Sequence, residues 1–127
     1  HPSRPSMQGR DSLINVMNII DEFTQERDWE QFHSVKNVMA SISIESAELN
    51  ETIQWSNPTK DEVLSDPQLA GCIEDELADV MVYCLRLCSI LDINPIEAMN
   101  QKIVKNRAKY PIDKSKGKSA KYTTFEN

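Results

Sequence analysis

The stretch that decides the fold is "ISIESAELNE", residues 42–51. Its apolar residues recur with the spacing of an amphipathic helix rather than that of a strand. With about 100° of rotation per residue, Glu45 lies on the shoulder of the apolar stripe and Glu48 lies further round on the same side. The stretch therefore predicts a helix with two carboxylates, one turn apart, along the edge of its buried face.

The stretch "IEDELADVMVY", residues 73–83, repeats this arrangement. Glu76 occupies the shoulder position and Asp79 the flank, and Tyr83 falls between them in direction, one turn further on. If the two helices pack as antiparallel neighbours, the four acids converge. Like charges that are partly buried raise one another's pKa, and a hard divalent cation such as Mg²⁺, which prefers oxygen ligands, relieves that repulsion.

The two acidic motifs are also compatible with a protein that is not an enzyme. Acidic residues three apart on a helix are often only a solvated face, and the chain would then be a non-catalytic helical interaction module. A di-iron site does not fit, because it needs Glu-x-x-His motifs and His33, the one histidine beyond position 1, lies outside both stretches. Cys84 and Cys88 are spaced for two ligands on one helix, but the chain has no second cysteine pair to complete a zinc site.

Composition narrows the classes of function further. The 127 residues suffice for one domain, and the net charge of −6 argues against binding of a nucleic-acid polymer, which needs a basic face. A nucleotide remains an allowed ligand, because a bound divalent cation can reverse the local charge. The three cysteines, an odd number, favour reduced thiols and a cytoplasmic protein. No apolar run is long enough for a transmembrane segment, so we expect no membrane association.

Local signals predict an all-α chain with four long helices. We expect them at about residues 12–27, 34–55, 66–91 and 94–109. Ser34, Asp66 and Asn94 are good N-caps, and the prolines that follow the last two suit the first helical position. Thr59 and Glu62 form a capping box for a short turn between the second and third helices.

The chain divides into three expected regions. Residues 1–10, which begin "HPSRPS" before Met7, are expected to be a cloning remnant and a disordered N-terminus. Residues 11–112 form the helical domain, and residues 113–127 form a lysine-rich tail; from Tyr110 onward we expect no regular structure. Apolar residues also lie on several faces of the third helix, where a partner subunit would cover them: Met81, Val82, Leu85 and Leu87.

Several stretches together point to one family. Two pairs of acids stand as Glu45-x-x-Glu48 and Glu76-x-x-Asp79. They are accompanied by "ERDWEQFHS" (26–34), Asn37, "QWS" (54–56), "KNRAKYP" (105–111) and "KYT" (121–123). In these motifs the chain resembles the MazG-like, all-α nucleoside triphosphate pyrophosphohydrolases, and among them most closely the dCTP pyrophosphatases. The resemblance extends over nearly all of residues 13–123.

The resemblance implies a four-helix bundle that assembles as a homodimer or homotetramer. It implies cleavage of a (d)NTP, dCTP or a related dNTP, between the α- and β-phosphates, which would clear unwanted nucleotides. It assigns Mg²⁺, with Mn²⁺ as a substitute, to Glu45, Glu48, Glu76 and Asp79. A carboxylate that does not fully engage the metal could accept a proton from the attacking water, and Glu45 and Glu48 are the candidates. Hydrolysis of dUTP or phosphoribosyl-ATP, known in related families, stays an alternative.

The resemblance also assigns substrate-binding residues. It assigns the following residues to the nucleoside pocket: Trp29, Phe32, His33, Asn37, Trp55 and Tyr83. It assigns four others to contacts with the phosphate chain and sugar: Lys102, Asn106, Arg107 and Tyr110. Spacing alone favours packing for Trp29 and Phe32, and His33 could instead cap the second helix. Relatives specific for dCTP have a histidine nine residues before Trp29, where this chain has Ile20, so one polar contact of that pocket is missing here.

Overall fold

The described part of this computed structural model, residues 12–117, consists of helices joined by short turns. In chain order these are α1 (Leu13–Glu26), a 3₁₀ turn (Glu30–Phe32), α2 (Val35–Glu51), α3 (Lys60–Leu64), α4 (Pro67–Ile90), α5 (Pro95–Lys109) and α6 (Ile112–Ser115). No strand occurs between residues 12 and 117, so the predicted all-α class is confirmed. The expected N-terminal remnant and the "KYT" stretch lie outside the described residues.

The helices begin where the sequence predicts. Side-chain oxygens of Ser34, Asp66 and Asn94 accept hydrogen bonds from backbone N–H groups in the first turns of α2, α4 and α5. These bonds satisfy donors that have no partner inside the helix. Thr59 and Glu62 form the predicted reciprocal capping box at the start of α3.

Two helices end in the same motif, with an aspartate in a left-handed conformation. Asp28 after α1 and Asp92 after α4 both have φ of 54°. The next residues, Trp29 and Ile93, donate their backbone N–H groups to the carbonyl five residues back, at 3.0 and 2.9 Å. This is the Schellman arrangement, in which glycine is the usual left-handed residue. At α1 it turns the chain sharply and presents Trp29 directly beyond the helix.

The end of α2 differs from the prediction. The helix stops at Glu51 and residues 52–55 form a turn, so the predicted end at Trp55 is four residues too late. The Thr52 hydroxyl donates to the Leu49 carbonyl at 2.8 Å. If the helix continued, that carbonyl would instead accept from the backbone N–H of Ile53. The backbone N–H of Ile53 instead donates three residues back, at 3.4 Å.

The predicted irregular tail also contains a helix. Residues Ile112–Ser115 form one turn, α6, after Pro111. Proline suits this position, because its missing N–H is not needed at the start of a helix. The expectation of no regular structure beyond Tyr110 is therefore wrong for this segment.

The core lies where α1 and α2 pack against α4, and α3 also packs against α4. Its buried apolar side chains are Met17 and Ile20 from α1, Val38 from α2 and Leu85 from α4. Other apolar residues of these helices stay exposed, such as Ile14, Phe23, Val35, Leu77 and Leu91. The described helices thus leave part of their apolar surface uncovered.

The chain separates into two compact units, one up to Ile93 and one from Asn94 onward. The first contains α1 to α4, and the second contains α5 and α6. None of the helices between residues 12 and 117 is long and apolar enough to cross a membrane. Cys72, Cys84 and Cys88 are all free thiols, as expected.

Candidate active site

A cluster of carboxylates lies where α2 packs against α4. Oxygen atoms of Glu45 from α2 and of Glu76 and Asp79 from α4 all lie within 4.8 Å of one another. The packing of the two helices brings together residues that are 31 and 34 positions apart in the sequence (76 − 45 and 79 − 45). Three of the four predicted acids therefore meet at one place.

Glu48, the fourth predicted acid, is exposed and lies outside that triplet. It nevertheless interacts with two members of the cluster. A hydrogen bond shared with Glu48, followed by burial and the charges of Glu48, Asp79 and Glu76, raises the pKa of Glu45 to about 7. Burial, then the charge and hydrogen bond of Glu48, also raises the pKa of Glu76. The cluster holds more negative charge than it can keep ionised without help.

The buried ends of this cluster have no partner. Glu45 Oε2 and Glu76 Oε2 are both inaccessible to solvent and make no hydrogen bond within the described chain. A buried carboxylate oxygen without a partner is costly and calls for either a proton or a cation. The three acids offer only oxygen atoms, which are the ligands that Mg²⁺ prefers, and these atoms lie within 4.8 Å of one another. An all-oxygen set at this separation therefore fits a small, hard divalent cation.

Two cavities adjoin the cluster, and they differ in chemistry. The first, of about 630 Å³, has a wall that is half polar and half apolar, with Glu48, Glu51, Asp66 and Glu76 among its lining residues. An anionic ligand could enter it only together with cations, because every charged side chain on its wall is negative.

The second cavity, of about 360 Å³, is mostly apolar and is called the apolar cavity below. Its lining residues are Ile19, Ile20, Phe23, Thr24, Trp29, His33, Asp79, Val82, Tyr83 and Arg86. Asp79 belongs both to this cavity and to the acid cluster, so the two are adjacent. A cavity of this size with aromatic walls and a few polar groups suits a flat organic ring.

A family model for the MazG-like family matches residues 40–125, more than half of the chain. This chain belongs to the MazG-like family. The predicted family is thereby confirmed.

Known relatives agree with this assignment. The dCTP pyrophosphatase 1 of Mus musculus is 33% identical over 113 residues, which cover 88% of this chain and 66% of the mouse protein. The dCTP pyrophosphatase 1 of Homo sapiens is 31% identical over 123 residues, which cover 96% of this chain and 72% of the human protein. The chain thus spans about two thirds of the length of the curated relatives that it matches.

A solved structure is also similar. A pyrophosphatase from Archaeoglobus fulgidus, whose crystal structure has been solved, is 44% identical in sequence to this chain. The two structures superpose with a TM-score of 0.68. The match covers 76% of this chain and 89% of that protein. The MazG-like fold is therefore supported by both sequence and structure.

The apolar cavity of this MazG-like chain contains three of the predicted nucleoside contacts: Trp29, His33 and Tyr83. The rings of His33 and Tyr83 meet edge to face with centroids 6.4 Å apart. Ile20, the position at which the sequence resemblance predicts the loss of a polar contact, is buried in the core and also lines the cavity. The polar contact expected there is replaced by an apolar wall.

Three other predicted contacts do not line either cavity. Trp55 is 91% exposed, because α2 ends before it and leaves it on a turn. Phe32 is 60% exposed, and the side chain of Asn37 donates to the Phe32 carbonyl at 3.1 Å. Asn37 thus braces the turn that carries His33, and a contact of these residues with substrate stays a prediction.

The remaining predicted residues lie in the second unit. Lys102, Asn106 and Arg107 are on α5, and Tyr110 is its C-cap. The backbone N–H of Tyr110 donates to the Asn106 carbonyl at 2.8 Å. Their assignment to the phosphate chain and sugar stays a prediction.

Sequence reasoning missed Arg86 and Asp21. Arg86 is 9% exposed, and its Nη1 donates to Asp21 Oδ1 at 2.9 Å. A signal for Arg86 was present, because it is the one charged residue in the otherwise apolar run "VMVYCLRLCSI", residues 80–90. A charge in such a run is seldom buried without a partner. Asp21 carried no such signal, since its α1 neighbourhood is ordinarily amphipathic.

Proposed function

We propose that this protein is a Mg²⁺-dependent nucleotide pyrophosphohydrolase that cleaves a (d)NTP between its α- and β-phosphates. The products are the nucleoside monophosphate and pyrophosphate, and the preferred substrate is dCTP or a related dNTP. The observation that carries this proposal is the position of Asp79, which joins an acid cluster with unpartnered buried oxygens to a cavity fit for a base. The names of the relatives, dCTP pyrophosphatase and pyrophosphatase, agree with this enzyme class.

Glu45, Glu76 and Asp79 would hold the cation, with Glu48 beside them. The metal, when bound, would neutralise phosphate charge and orient the attacking water. The chain itself would fix the triphosphate between cluster and cavity, and positioning of this kind supplies much of the catalysis of phosphoryl transfer. Mn²⁺, which also accepts oxygen ligands, could replace Mg²⁺.

Of the two predicted general bases, Glu48 fits the role better. It is exposed and lies outside the triplet whose oxygens are within 4.8 Å of one another. Glu45 belongs to that triplet and would be committed to the cation. Glu48 can therefore accept a proton while the other three carboxylates serve as ligands.

A homo-oligomer forms part of the proposal. Apolar side chains on α2 and α4 remain about half exposed, among them Met39 (49%), Ile44 (58%), Leu77 (46%) and Met81 (51%). The buried core of the first unit, by comparison, contains few apolar side chains. Exposed apolar area of this extent is typical of interfaces between subunits, and a second copy of the chain would bury it. Light scattering of the purified chain would show a dimer or tetramer.

The test is hydrolysis of each dNTP, dUTP and phosphoribosyl-ATP, with and without Mg²⁺ or Mn²⁺, with products separated by ion exchange. We expect monophosphate and pyrophosphate, formed only with the metal, and the highest kcat/KM for dCTP or a close relative. Release of a diphosphate and orthophosphate would contradict the cleavage position. No hydrolysis of any nucleotide would contradict the enzyme class and favour an interaction module.

A further inference from the structure

A partly buried polar network forms part of the wall of the apolar cavity. Arg86 on α4 makes two side-chain hydrogen bonds from one guanidinium group. Its Nη1 donates to Asp21 Oδ1 on α1 at 2.9 Å, and its Nε donates to Nδ1 of His33 at 3.0 Å. Arg86 and His33 both line the cavity, so the network belongs to its wall.

The chemistry of arginine determines the state of His33. A guanidinium N–H can only donate, so Nδ1 of His33 must be the acceptor and carries no proton. The imidazole is therefore neutral, with its proton on Nε2. The flipped ring would set a C–H group against the Arg86 N–H and lose the bond. Within the described residues Nε2 makes no hydrogen bond, so its N–H is left for a ligand.

The surroundings of the imidazole favour the same neutral state. Burial lowers the pKa of His33, the charge of Arg86 lowers it further, and Glu30 on the 3₁₀ turn opposes them. Two other titratable side chains line the same cavity. They are Tyr83, whose ring meets the imidazole edge to face, and Asp79.

The charge of Arg86 is matched within the network. Asp21 pairs with it at 2.9 Å, and the side chain of Arg86 is only 11% exposed. The wall of the apolar cavity is thus a poor site for a second anion. The Thr24 hydroxyl is also engaged, since it donates to the Ile20 carbonyl at 2.9 Å.

We propose that Arg86, held by Asp21, is a positioning residue that fixes His33 with its Nε2–H as a hydrogen-bond donor to the base. The cavity then selects bases that offer an acceptor, a carbonyl oxygen or an unprotonated ring nitrogen, at this point. This proposal rests on the proposed function, because it supposes that the base of a nucleotide occupies the apolar cavity.

The kinetic test compares the best dNTP of the panel with abasic deoxyribose 5′-triphosphate. In the unchanged chain, the KM of the abasic triphosphate divided by the KM of the dNTP measures what the base contributes to binding. We call this quotient the KM ratio. We expect His33→Leu to reduce this ratio roughly three- to tenfold, the effect of one hydrogen bond. His33→Gln should keep most of it, because the glutamine amide can accept from Arg86 and still donate to the base.

The decisive variants are at Arg86. Arg86→Met should reduce the KM ratio as much as His33→Leu does, and the double variant should be no worse than His33→Leu alone, because both act through one contact. Arg86→Lys, which retains the pair with Asp21 but lacks the planar fork, should fall in between and covers the case in which Arg86→Met does not fold. Lys36→Met, an exposed change on α2, is the matched loss of positive charge and should leave the ratio unchanged.

A spectroscopic readout separates positioning from a merely structural role. With ring-¹⁵N histidine, His33→Gln identifies the signals of His33, and Nδ1 should appear unprotonated and Nε2 protonated. In Arg86→Met, imidazolium should form at a higher pH, because the opposing charge is gone. A protonated Nδ1 in the unchanged chain, or effects of Arg86→Met and His33→Leu that simply add, would overturn the proposal. Absence of all hydrolysis would instead overturn the proposed function, and the nitrogen signals would still test the state of His33.

Discussion

Two groups of charged side chains share helix α4, and they are balanced in opposite ways. At Glu76 and Asp79 the helix faces Glu45, and only negative charges meet there. At Arg86, two turns further on, the helix faces Asp21 and a neutral histidine nitrogen, and the guanidinium donates a hydrogen bond to each of them.

The difference separates a binding site from its scaffold. The acid cluster has unpartnered buried oxygens and raised pKa values, so its stability depends on a proton or cation supplied from outside. In the Arg86 network, the guanidinium charge is paired with Asp21 without any ligand, and the network is suited to hold the His33 ring in place. Changes to the acid cluster should therefore affect metal binding and catalysis. Changes to the Arg86 network should affect the orientation of the His33 ring and the selectivity for the base.

The largest effect should come from removing a charge shared by the cluster and the apolar cavity. We expect Asp79→Asn to lower kcat/KM on the order of 100-fold or more, because it removes a carboxylate charge that is already positioned to hold the metal. Glu74→Gln, an equally conservative change at an exposed position of the same helix, should have little effect. Steady-state kinetics of both variants at saturating Mg²⁺ checks this, and equal activities would show that the cluster is only a solvated face.

The second prediction concerns the sign of a stability change. Glu45→Gln should stabilise the metal-free chain, because it removes one of the crowded charges, yet it should abolish stabilisation by Mg²⁺. In the unchanged chain, Mg²⁺ at 100 times its dissociation constant should add about 2.7 kcal/mol to the free energy of unfolding. Thermal unfolding with and without Mg²⁺ measures both effects. A destabilised metal-free variant would mean that the acids are already balanced.

The third prediction is a pH dependence that belongs to the cluster alone. The pKa of Glu45 is raised to about 7 in the folded chain, above its ordinary value of 4.5. Between these values the folded state binds more protons than the unfolded state, so this contribution to stability is complete below about 4.5 and is lost as the pH rises through about 7. The Tm of the metal-free chain should fall between pH 4.5 and about pH 7, and less so in Glu45→Gln or with Mg²⁺ bound. A similar fall in all three samples would assign the dependence to other groups.

The smallest effect should come from the helix framework that supports both groups. Asp92 holds a left-handed conformation at the end of α4, with φ of 54°, which glycine adopts at less cost. We expect Asp92→Gly to raise the free energy of unfolding by about 0.5 kcal/mol and Asp92→Ala to lower it by a similar amount. Urea unfolding measures both, and catalytic activity should not change. A loss of activity would show that the end of α4 is coupled to the site.

How much of the fold was accessible from sequence depended on whether a signal was local. The N-caps at Ser34, Asp66 and Asn94 were predicted correctly, because a cap is a contact between neighbours in the chain. The end of α2 was predicted too far along, because nothing in the sequence pattern shows that the Thr52 hydroxyl takes the carbonyl that the next turn needs. The turn of helix at Ile112–Ser115 was missed because the polarity of the tail concealed it.

By itself, the sequence determined which helices form and which of their edges carry the acids, since both follow from 3.6 residues per turn and from local capping. The tertiary structure alone decided that Glu45, Glu76 and Asp79 meet, with the exposed Glu48 beside them. It also paired Arg86 with Asp21 and His33, which lie 65 and 53 positions away. No local pattern encodes such partners, because they depend on how the helices pack and on which burial costs that packing must offset.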